Sequence, residues 1–108
     1  MKIVTFKRVY IASPCRGQRE VNIRYLKMCM LDSLARNEAP YAPHAYLPYI
    51  LDDDKPKERQ RGLDIGLAFL GTCQLLAIYA DHGISEGMQN EMDYAKVRNI
   101  KIEIRKIE

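Results

Sequence analysis

The chain has 108 residues, of which 47% are hydrophobic and 29% are charged, and its formal net charge is +3. This is the composition of an ordinary globular protein, and the length allows one core, so we expect a single domain over residues 1–108. The mild positive charge is spread along the chain, apart from a basic tail at 101–106. Nucleic-acid binding is therefore not expected.

Three cysteines, Cys15, Cys29 and Cys73, form neither a C-x-x-C pair nor the spacing of a metal finger. Their odd number argues against a disulfide framework, which predicts a reducing compartment and a cytoplasmic protein. No stretch approaches the roughly 18 to 20 apolar residues of a membrane span, and the N-terminus lacks a signal-peptide pattern. No membrane partner is expected.

The first predicted element is a strand over Lys7–Ser13, a β-branched and aromatic run that ends at Pro14. A loop then leads into a helix from Gln18 to about Asn37, where apolar residues recur at spacings of three and four. Arg16 in the loop could reach a phosphate, although a lone loop arginine is more often only solvated. Asn22 lies near the buried helix face and is either a ligand contact or a core amide with satisfied hydrogen bonds.

Residues 38–54 are the least regular segment. Its three prolines exclude a helix through it, and a short second strand is predicted over 41–45. Its aromatic and imidazole rings suit a pocket wall on which a nucleobase stacks, although a core or a subunit interface would use them equally. These rings belong to Tyr41, His44, Tyr46 and Tyr49. No second metal ligand is spaced to His44, so a metal site is not expected.

Residues 52–54 are three aspartates that lack the glycine and distal glutamate of a calcium loop. One of them is expected to cap the next helix, which is predicted from Pro56 to Gly71 or Thr72. Gly62 and Gly66 lie one turn apart on that helix. They form a smooth face for another helix, for another subunit or for tight packing within the domain.

The apolar run Leu75–Ala80 predicts a parallel strand that is covered on both faces. Ser85 is then a natural N-cap for a helix. A helix that starts after the carboxyl end of a parallel strand lies where open α/β sheets bind ligands, and its free N–H groups suit an anion. Glu91 shares a helical stripe with small and apolar residues, so it is either functional or a solvated residue at the stripe's edge.

Residues 100–107 alternate apolar and charged side chains, which predicts an edge strand with one buried and one wet face. The overall order is strand, helix, short strand, loop, helix, strand, helix, strand, which implies right-handed parallel crossovers. We therefore expect an α/β fold: a three-layer, doubly wound, mostly parallel sheet of the flavodoxin or Rossmann-like kind.

Two stretches of the sequence carry a family resemblance. They are Tyr10-Ile11-Ala12-Ser13 with its small-residue loop, and Ser85-x-Gly87-Met88 followed by Glu91 and Tyr94-Ala95. Both resemble the nucleoside 2-deoxyribosyltransferase superfamily and its small, often phage-encoded relatives, in which Ala42-Pro43-His44 also recurs.

The resemblance implies that Glu91 is a nucleophile that attacks the anomeric carbon of a nucleoside or nucleotide and releases the base, without a metal or organic cofactor. It further implies that Tyr10 orients this carboxylate or the sugar, and that Asp81 binds a ribose hydroxyl or protonates the leaving base. Substrate contacts are expected from Ser13, Pro14, Arg16, Asn22, His44, Ser85, Gly87 and Met88.

Two further expectations accompany this reading. The short chain keeps open a second hypothesis, a module that binds a nucleotide or an ADP-ribose-like ligand without turning it over. Neighbouring subunits close the sites in the resembled family, so a homo-oligomer is expected, most simply a two-fold dimer. Its contact surface is expected to include Pro56–Leu70 and Tyr41–Tyr49.

Overall fold

The structure, a computed structural model, describes residues 1–108. Its strands are β1 (Lys7–Ala12), β2 (Glu38–Tyr41), β3 (Leu75–Tyr79) and β4 (Lys101–Arg105), and its α-helices are α1 (Arg19–Ala35), α2 (Pro56–Leu70) and α3 (Glu86–Val97). The strands form one parallel sheet in the order β2-β1-β3-β4. The expected α/β fold of the flavodoxin or Rossmann-like kind is confirmed. None of the helices combines the length and apolarity that a transmembrane span requires.

Each face of the sheet packs on its own apolar cluster, because successive side chains of a strand point to opposite faces. One cluster joins β1 and β3 to α1 through Val9, Ile11, Leu75, Ala77, Tyr79, Tyr25, Leu26 and Cys29. The other joins the same strands to α2 and α3 through Tyr10, Ala12, Leu76, Ile78, Leu70, Met88 and Ala95. All residues of β3 are buried, as the continuous apolar run predicted.

The two predicted helix caps have different outcomes. Ser85 is the N-cap of α3 and accepts a backbone N–H of the first turn, as predicted. The predicted aspartate cap of α2 is wrong, because Lys55 occupies the N-cap position and makes no side-chain cap bond. Asp52 instead accepts the backbone N–H of Asp54 at 2.9 Å, and Glu58 accepts that of Asp52 at 3.2 Å. The acidic residues therefore close the loop that precedes the helix.

The second strand lies earlier in the chain than predicted, over Glu38–Tyr41, and two short 3-10 turns follow it over residues 43–45 and 47–49. Pro40 fits within β2 because this strand is at the sheet edge, where one side of the hydrogen-bond ladder is unpaired. Pro43 and Pro48 lie in the first turns of the 3-10 segments, where a missing N–H costs little. The prolines exclude a long helix, as expected, but permit these turns.

Strand β4 forms the opposite edge, as predicted, but its faces do not separate apolar from charged residues. Ile104 is 51% exposed, whereas Arg105 is only 4% exposed. The Arg105 guanidinium donates to Glu38 at 2.7 Å and to the Tyr79 hydroxyl at 3.0 Å. A paired and hydrogen-bonded charge can be buried, so this ion pair occupies a position where alternation predicted a solvated residue.

Candidate active site

Tyr10 of β1 and Glu91 of α3 lie close enough for each to shift the pKa of the other. Burial raises the pKa of Glu91 to about 7, and the neighbouring hydroxyl of Tyr10 offsets part of that increase. Burial is the main cause that raises the pKa of Tyr10, and the Glu91 carboxylate raises it further, so the phenol stays protonated. Glu91 therefore exchanges its proton near neutral pH, which is a property that catalytic carboxylates share.

Gly66 of α2 makes room for the Tyr10 hydroxyl. A Cβ atom at this position would lie 3.0 Å from the phenol oxygen and 3.5 Å from Cγ of Pro43. The first distance is shorter than an ordinary van der Waals contact, so a side chain here would displace the phenol. Of the alternatives left open for the glycine face, Gly66 serves close packing within the domain.

A cavity of about 550 Å³ opens next to the carboxyl end of β1. Its walls are the loop 14–17, the first turns of α1, His44, the segment 48–54 and Glu58. Ligand sites of small molecules span roughly 300 to 1,000 Å³, so a nucleoside-sized ligand fits. The location agrees with the rule that open α/β sheets bind ligands beyond the carboxyl ends of their strands.

The cavity wall carries charges of both signs. Arg16 and Arg19 supply positive charge, while residues 52–54 and Glu58 supply carboxylates. The guanidinium of Arg19 lies 4.9 Å from the ring centroid of Tyr49 and is thereby held in the wall. No group of three or more histidine, cysteine, aspartate or glutamate side chains is arranged to hold a metal ion. A ligand with an anionic group and several hydroxyls matches such a wall.

Cys15 connects this cavity to the Tyr10–Glu91 pair. It lines the cavity. Burial is the main cause that raises the pKa of its thiol, and the negative charges of Asp53 and Glu91 raise it further. The Glu91 carboxylate therefore lies within electrostatic reach of a cavity-wall residue. A thiol with a raised pKa is a poor nucleophile, so Cys15 is a wall residue rather than a reactive one.

Ser13 and His44, which are 31 residues apart in the chain, meet beside the cavity, where His44 lines the wall and Ser13 does not. The serine Oγ lies 2.8 Å from Nε2 of the imidazole. Ser13 is 5% exposed, and burial lowers the pKa of His44 to about 4. The imidazole is therefore neutral at physiological pH.

Three more of the expected substrate contacts, Pro14, Arg16 and Asn22, line the same cavity. Nδ2 of Asn22 donates to the backbone carbonyl of Arg16 at 2.9 Å. This bond fixes the loop against α1. Asn22 thus lines the cavity and satisfies a local backbone carbonyl through an exposed bond, so it is not a core amide, and its contact with a ligand stays a prediction.

Asp81 does not join this group. Its carboxylate accepts the hydroxyl of Tyr25 at 2.6 Å and the backbone N–H groups of Ile107 and Glu108, each at 3.0 Å. The hydrogen bond from Tyr25 is the main cause that lowers the pKa of Asp81 to about 2. A carboxylate that is ionised and already hydrogen-bonded in this way is unsuited to protonate a leaving base.

The turn at the start of α3 serves the helix itself. The Ser85 hydroxyl accepts the backbone N–H of Met88 at 3.2 Å, and the Met88 side chain is buried in the core. Neither these residues nor Gly87 line the cavity. The Ser85 and Met88 side chains are used for capping and packing, and the substrate contacts expected from this turn stay a prediction.

Sequence reasoning did not single out Cys15, Arg19, Glu58 or, apart from Tyr49, the segment 48–54 as ligand contacts. One signal was available, because Arg16, Arg19 and Asn22 recur every three residues directly after the first strand. That spacing places Arg19 and Asn22 on one face of the first turn of α1, while Arg16 lies in the loop before it. The acidic segment offers no comparable signal, since its approach depends on long-range folding.

No curated protein shows a significant match to this chain. One family model, described as Domain of unknown function (DUF7768), matches residues 7–105. The matched range starts with β1 and ends with β4, so it contains the whole sheet and its helices. The chain therefore belongs to the Domain of unknown function (DUF7768) family.

Proposed function

We propose that this protein cleaves or transfers the N-glycosidic bond of a nucleoside or nucleotide, with Glu91 as the nucleophile. The observation that carries the proposal is a poorly solvated carboxyl group of raised pKa beside Tyr10, which lies outside the wall of the nucleoside-sized cavity but acts electrostatically on its wall residue Cys15. The resemblance to nucleoside 2-deoxyribosyltransferases, which was drawn from sequence motifs and not from the pKa, also indicates Glu91 as the nucleophile.

In the proposed reaction, the ionised carboxylate of Glu91 attacks the anomeric carbon and forms a glycosyl ester. The electron pair of the broken C–N bond leaves with the base, which takes up a proton from solvent. Water or a second base then attacks the same carbon, and the carboxylate is restored. The phenol of Tyr10 orients the carboxylate, and neither step requires a metal or an organic cofactor.

Glu91 must be ionised to act as the nucleophile, which sets the pH dependence. Because burial raises its pKa to about 7, the ionised fraction grows as pH rises through that value. The rate of base release should therefore increase from pH 6 to 8 and then level off. His44 does not contribute to this change, since its pKa lies near 4.

The test is release of free base from a panel of common 2′-deoxyribonucleosides and their 5′-monophosphates at pH 8. We expect release from at least one compound, and a loss of roughly 1,000-fold or more in the Glu91→Ala and Glu91→Gln variants. Asp81→Asn is the matched control, and it should retain activity. A Glu91→Ala variant as active as the wild type would remove Glu91 from the mechanism.

A second candidate function is a module that binds a nucleotide or an ADP-ribose-like ligand without turning it over. It is favoured by the position of Asp81, whose carboxylate is hydrogen-bonded to Tyr25 and to the backbone near the C-terminus. The reaction then lacks the acid that was expected to protonate the base. Recovery of tightly bound nucleotide, chemically intact after long incubation, would favour the module, whereas base release excludes it.

We also propose a two-fold dimer built on α2 and residues 41–49. The Tyr41 and Phe69 rings lie 4.6 Å apart, and Tyr41 and Tyr46 share a hydrogen bond of 2.6 Å. Phe69, Tyr46 and Leu63 expose large apolar surface, which suits an interface core. The contact should bury more than roughly 1,000 Å². Light scattering after size exclusion tests this, and a mass near 12.5 kDa would contradict it.

A reducing, cytoplasmic setting is a further proposal. All three cysteines are free thiols, and Cys29 is buried. Small domains of oxidising compartments commonly use disulfides for stability, whereas cytoplasmic proteins keep their thiols reduced. Unchanged thermal stability with and without a reducing agent would agree with this setting.

A further inference from the structure

The imidazole of His44 has one ring nitrogen engaged and the other available. Nε2 lies 2.8 Å from the Ser13 hydroxyl, and this is the hydrogen bond that the ring makes. Every buried side-chain nitrogen or oxygen of the protein has a partner. Nδ1, which has no partner, is therefore not fully buried, and His44 is one of the residues that line the cavity.

Ser13 is a partner that suits either tautomer of the ring. Its hydroxyl can donate to Nε2, in which case Nδ1 carries the hydrogen and donates into the cavity. It can also accept from Nε2–H, in which case Nδ1 is an acceptor. The same positions of the heavy atoms thus present the cavity with a donor or with an acceptor, depending on the ligand.

We propose that Nδ1 of His44 hydrogen-bonds the edge of the nucleobase, while Ser13 fixes the ring and allows its tautomer to match the base. The identity of the ligand rests on the proposed function. Burial keeps the imidazole neutral, as this exchange of tautomers requires. His44 is a specificity-determining residue in this account, and it takes no part in breaking the glycosidic bond.

The surroundings of His44 favour a base over a phosphate at this position. Residues 52–54 and Glu58 place carboxylates in the cavity wall, which disfavours a phosphate beside them. The wall residues between His44 and this acidic group are Pro48, Tyr49, Ile50 and Leu51, which are apolar or aromatic. Such side chains stack against the faces of a flat heterocycle. The phosphate of a nucleotide is better matched by Arg16 and Arg19, since guanidinium groups bind phosphate oxygens in pairs.

Two substitutions separate the roles of the two ring nitrogens. His44→Gln places an amide near the Nε2 position, so it keeps the contact with Ser13 and loses the contact with the cavity. His44→Asn places an amide near Nδ1, so it keeps the cavity contact and loses the serine. His82→Gln is the matched control, because His82 stacks on Tyr25 at 4.2 Å and does not line the cavity.

Binding is measured by calorimetry in the Glu91→Gln protein, where turnover is blocked. The probes are deoxyadenosine 5′-monophosphate, deoxyinosine 5′-monophosphate and 2-deoxyribose 5-phosphate. The two nucleotides differ in a donor and an acceptor on the base, and the third probe has no base. Thermal unfolding of each variant reports separately on loss of the Ser13 contact.

We expect His44→Gln to reduce the affinity for both nucleotides by about tenfold or more, while the affinity for the sugar phosphate and the Tm change little. His44→Asn should bind nucleotides better than His44→Gln although it melts at a lower temperature. Both nucleotides should bind the unsubstituted His44 with similar affinity. Two results would overturn the inference. One is that His44→Gln binds the nucleotides as tightly as the protein with His44, and the other is that it loses as much affinity for the sugar phosphate as for the nucleotides.

The same measurements separate this inference from the proposed function. If neither nucleotide binds the Glu91→Gln protein, the inference about His44 is overturned, whereas the proposed function is decided separately by base release from the whole panel. If both bind with the expected dependence on His44 but the wild type releases no base, only the glycosidic chemistry is overturned.

Discussion

Two tyrosine–carboxylate pairs lie on opposite faces of the sheet, and their carboxyl groups have opposite properties. In the pair of Tyr10 and Glu91, the carboxyl has a pKa of about 7. In the pair of Tyr25 and Asp81, it has a pKa of about 2. A tyrosine partner therefore does not decide the behaviour of a carboxylate.

The difference lies in the solvation of the two groups. Asp81 accepts a phenol and two backbone N–H groups, and each of these donors favours the ionised form. Glu91 has a phenol beside it but is otherwise poorly solvated, so the neutral form is favoured up to neutral pH. The well-bonded carboxylate fastens the chain end to the sheet, and the poorly bonded one is the better candidate for chemistry.

The largest expected effect concerns folding stability in the Glu91→Gln variant. The folded pKa of Glu91 is raised above its ordinary value of 4.5, so its favourable contribution is present at low pH and is lost as pH rises through about 7. Between pH 5 and pH 8 the wild type should lose on the order of 2 to 3 kcal/mol of unfolding free energy relative to the variant. Urea denaturation at both pH values measures this difference. Parallel pH dependence of the two proteins would contradict the raised pKa.

Removing each phenol in turn sharpens the comparison. Tyr10→Phe removes a donor that lowers the pKa of Glu91, so the pH profile of base release should shift to higher pH and the rate at pH 7 should fall by roughly tenfold. Tyr25→Phe is the matched control, since it changes only the surroundings of Asp81. Equal effects of the two substitutions on the rate would show that Tyr10 has no particular role.

The smallest effect is expected at Asp81. Asp81→Ala leaves the Tyr25 hydroxyl and two backbone N–H groups without their acceptor, so Tm should fall by roughly 5 °C at pH 7. The folded pKa lies below the ordinary value, so the contribution of Asp81 is present above about pH 4 and is lost as pH falls toward 2. The gap in Tm between the two proteins should therefore shrink in acid. Scanning calorimetry at pH 7 and pH 3 measures it, and a constant gap would contradict the account.

Features that depend on local pattern could be predicted from the sequence. The apolar run of β3 and the Ser85 cap of α3 are both found where expected. The burial of β3 and the Ser85 cap depend on residues that are close in the chain, so periodicity and residue type were sufficient for them. The aspartate cap of α2 was not predictable in this way, because Lys55 takes the N-cap position and Asp52 bonds within the loop. The layers of the fold followed from the order of these elements.

Features that depend on distant partners could not be predicted. Asp81 and Tyr25 are 56 residues apart, and Ser13 and His44 are 31 residues apart. No local signal shows that Tyr25 hydrogen-bonds the Asp81 carboxylate, or that Ser13 bonds only one ring nitrogen of His44. Arg105 likewise interrupts the expected alternation because Glu38 pairs with it across the sheet.

The central claim, that the surroundings of Glu91 keep its carboxyl group protonated up to neutral pH, can be measured directly. Carbon-13 labelling of the glutamate side-chain carboxyls allows each to be titrated by NMR, and Glu91 is assigned by its absence from the Glu91→Gln spectrum. The account predicts a midpoint near pH 7 for Glu91, while the Asp81 carboxyl, labelled in a parallel sample, stays ionised until about pH 2. A Glu91 midpoint near its ordinary value of 4.5 would contradict the account.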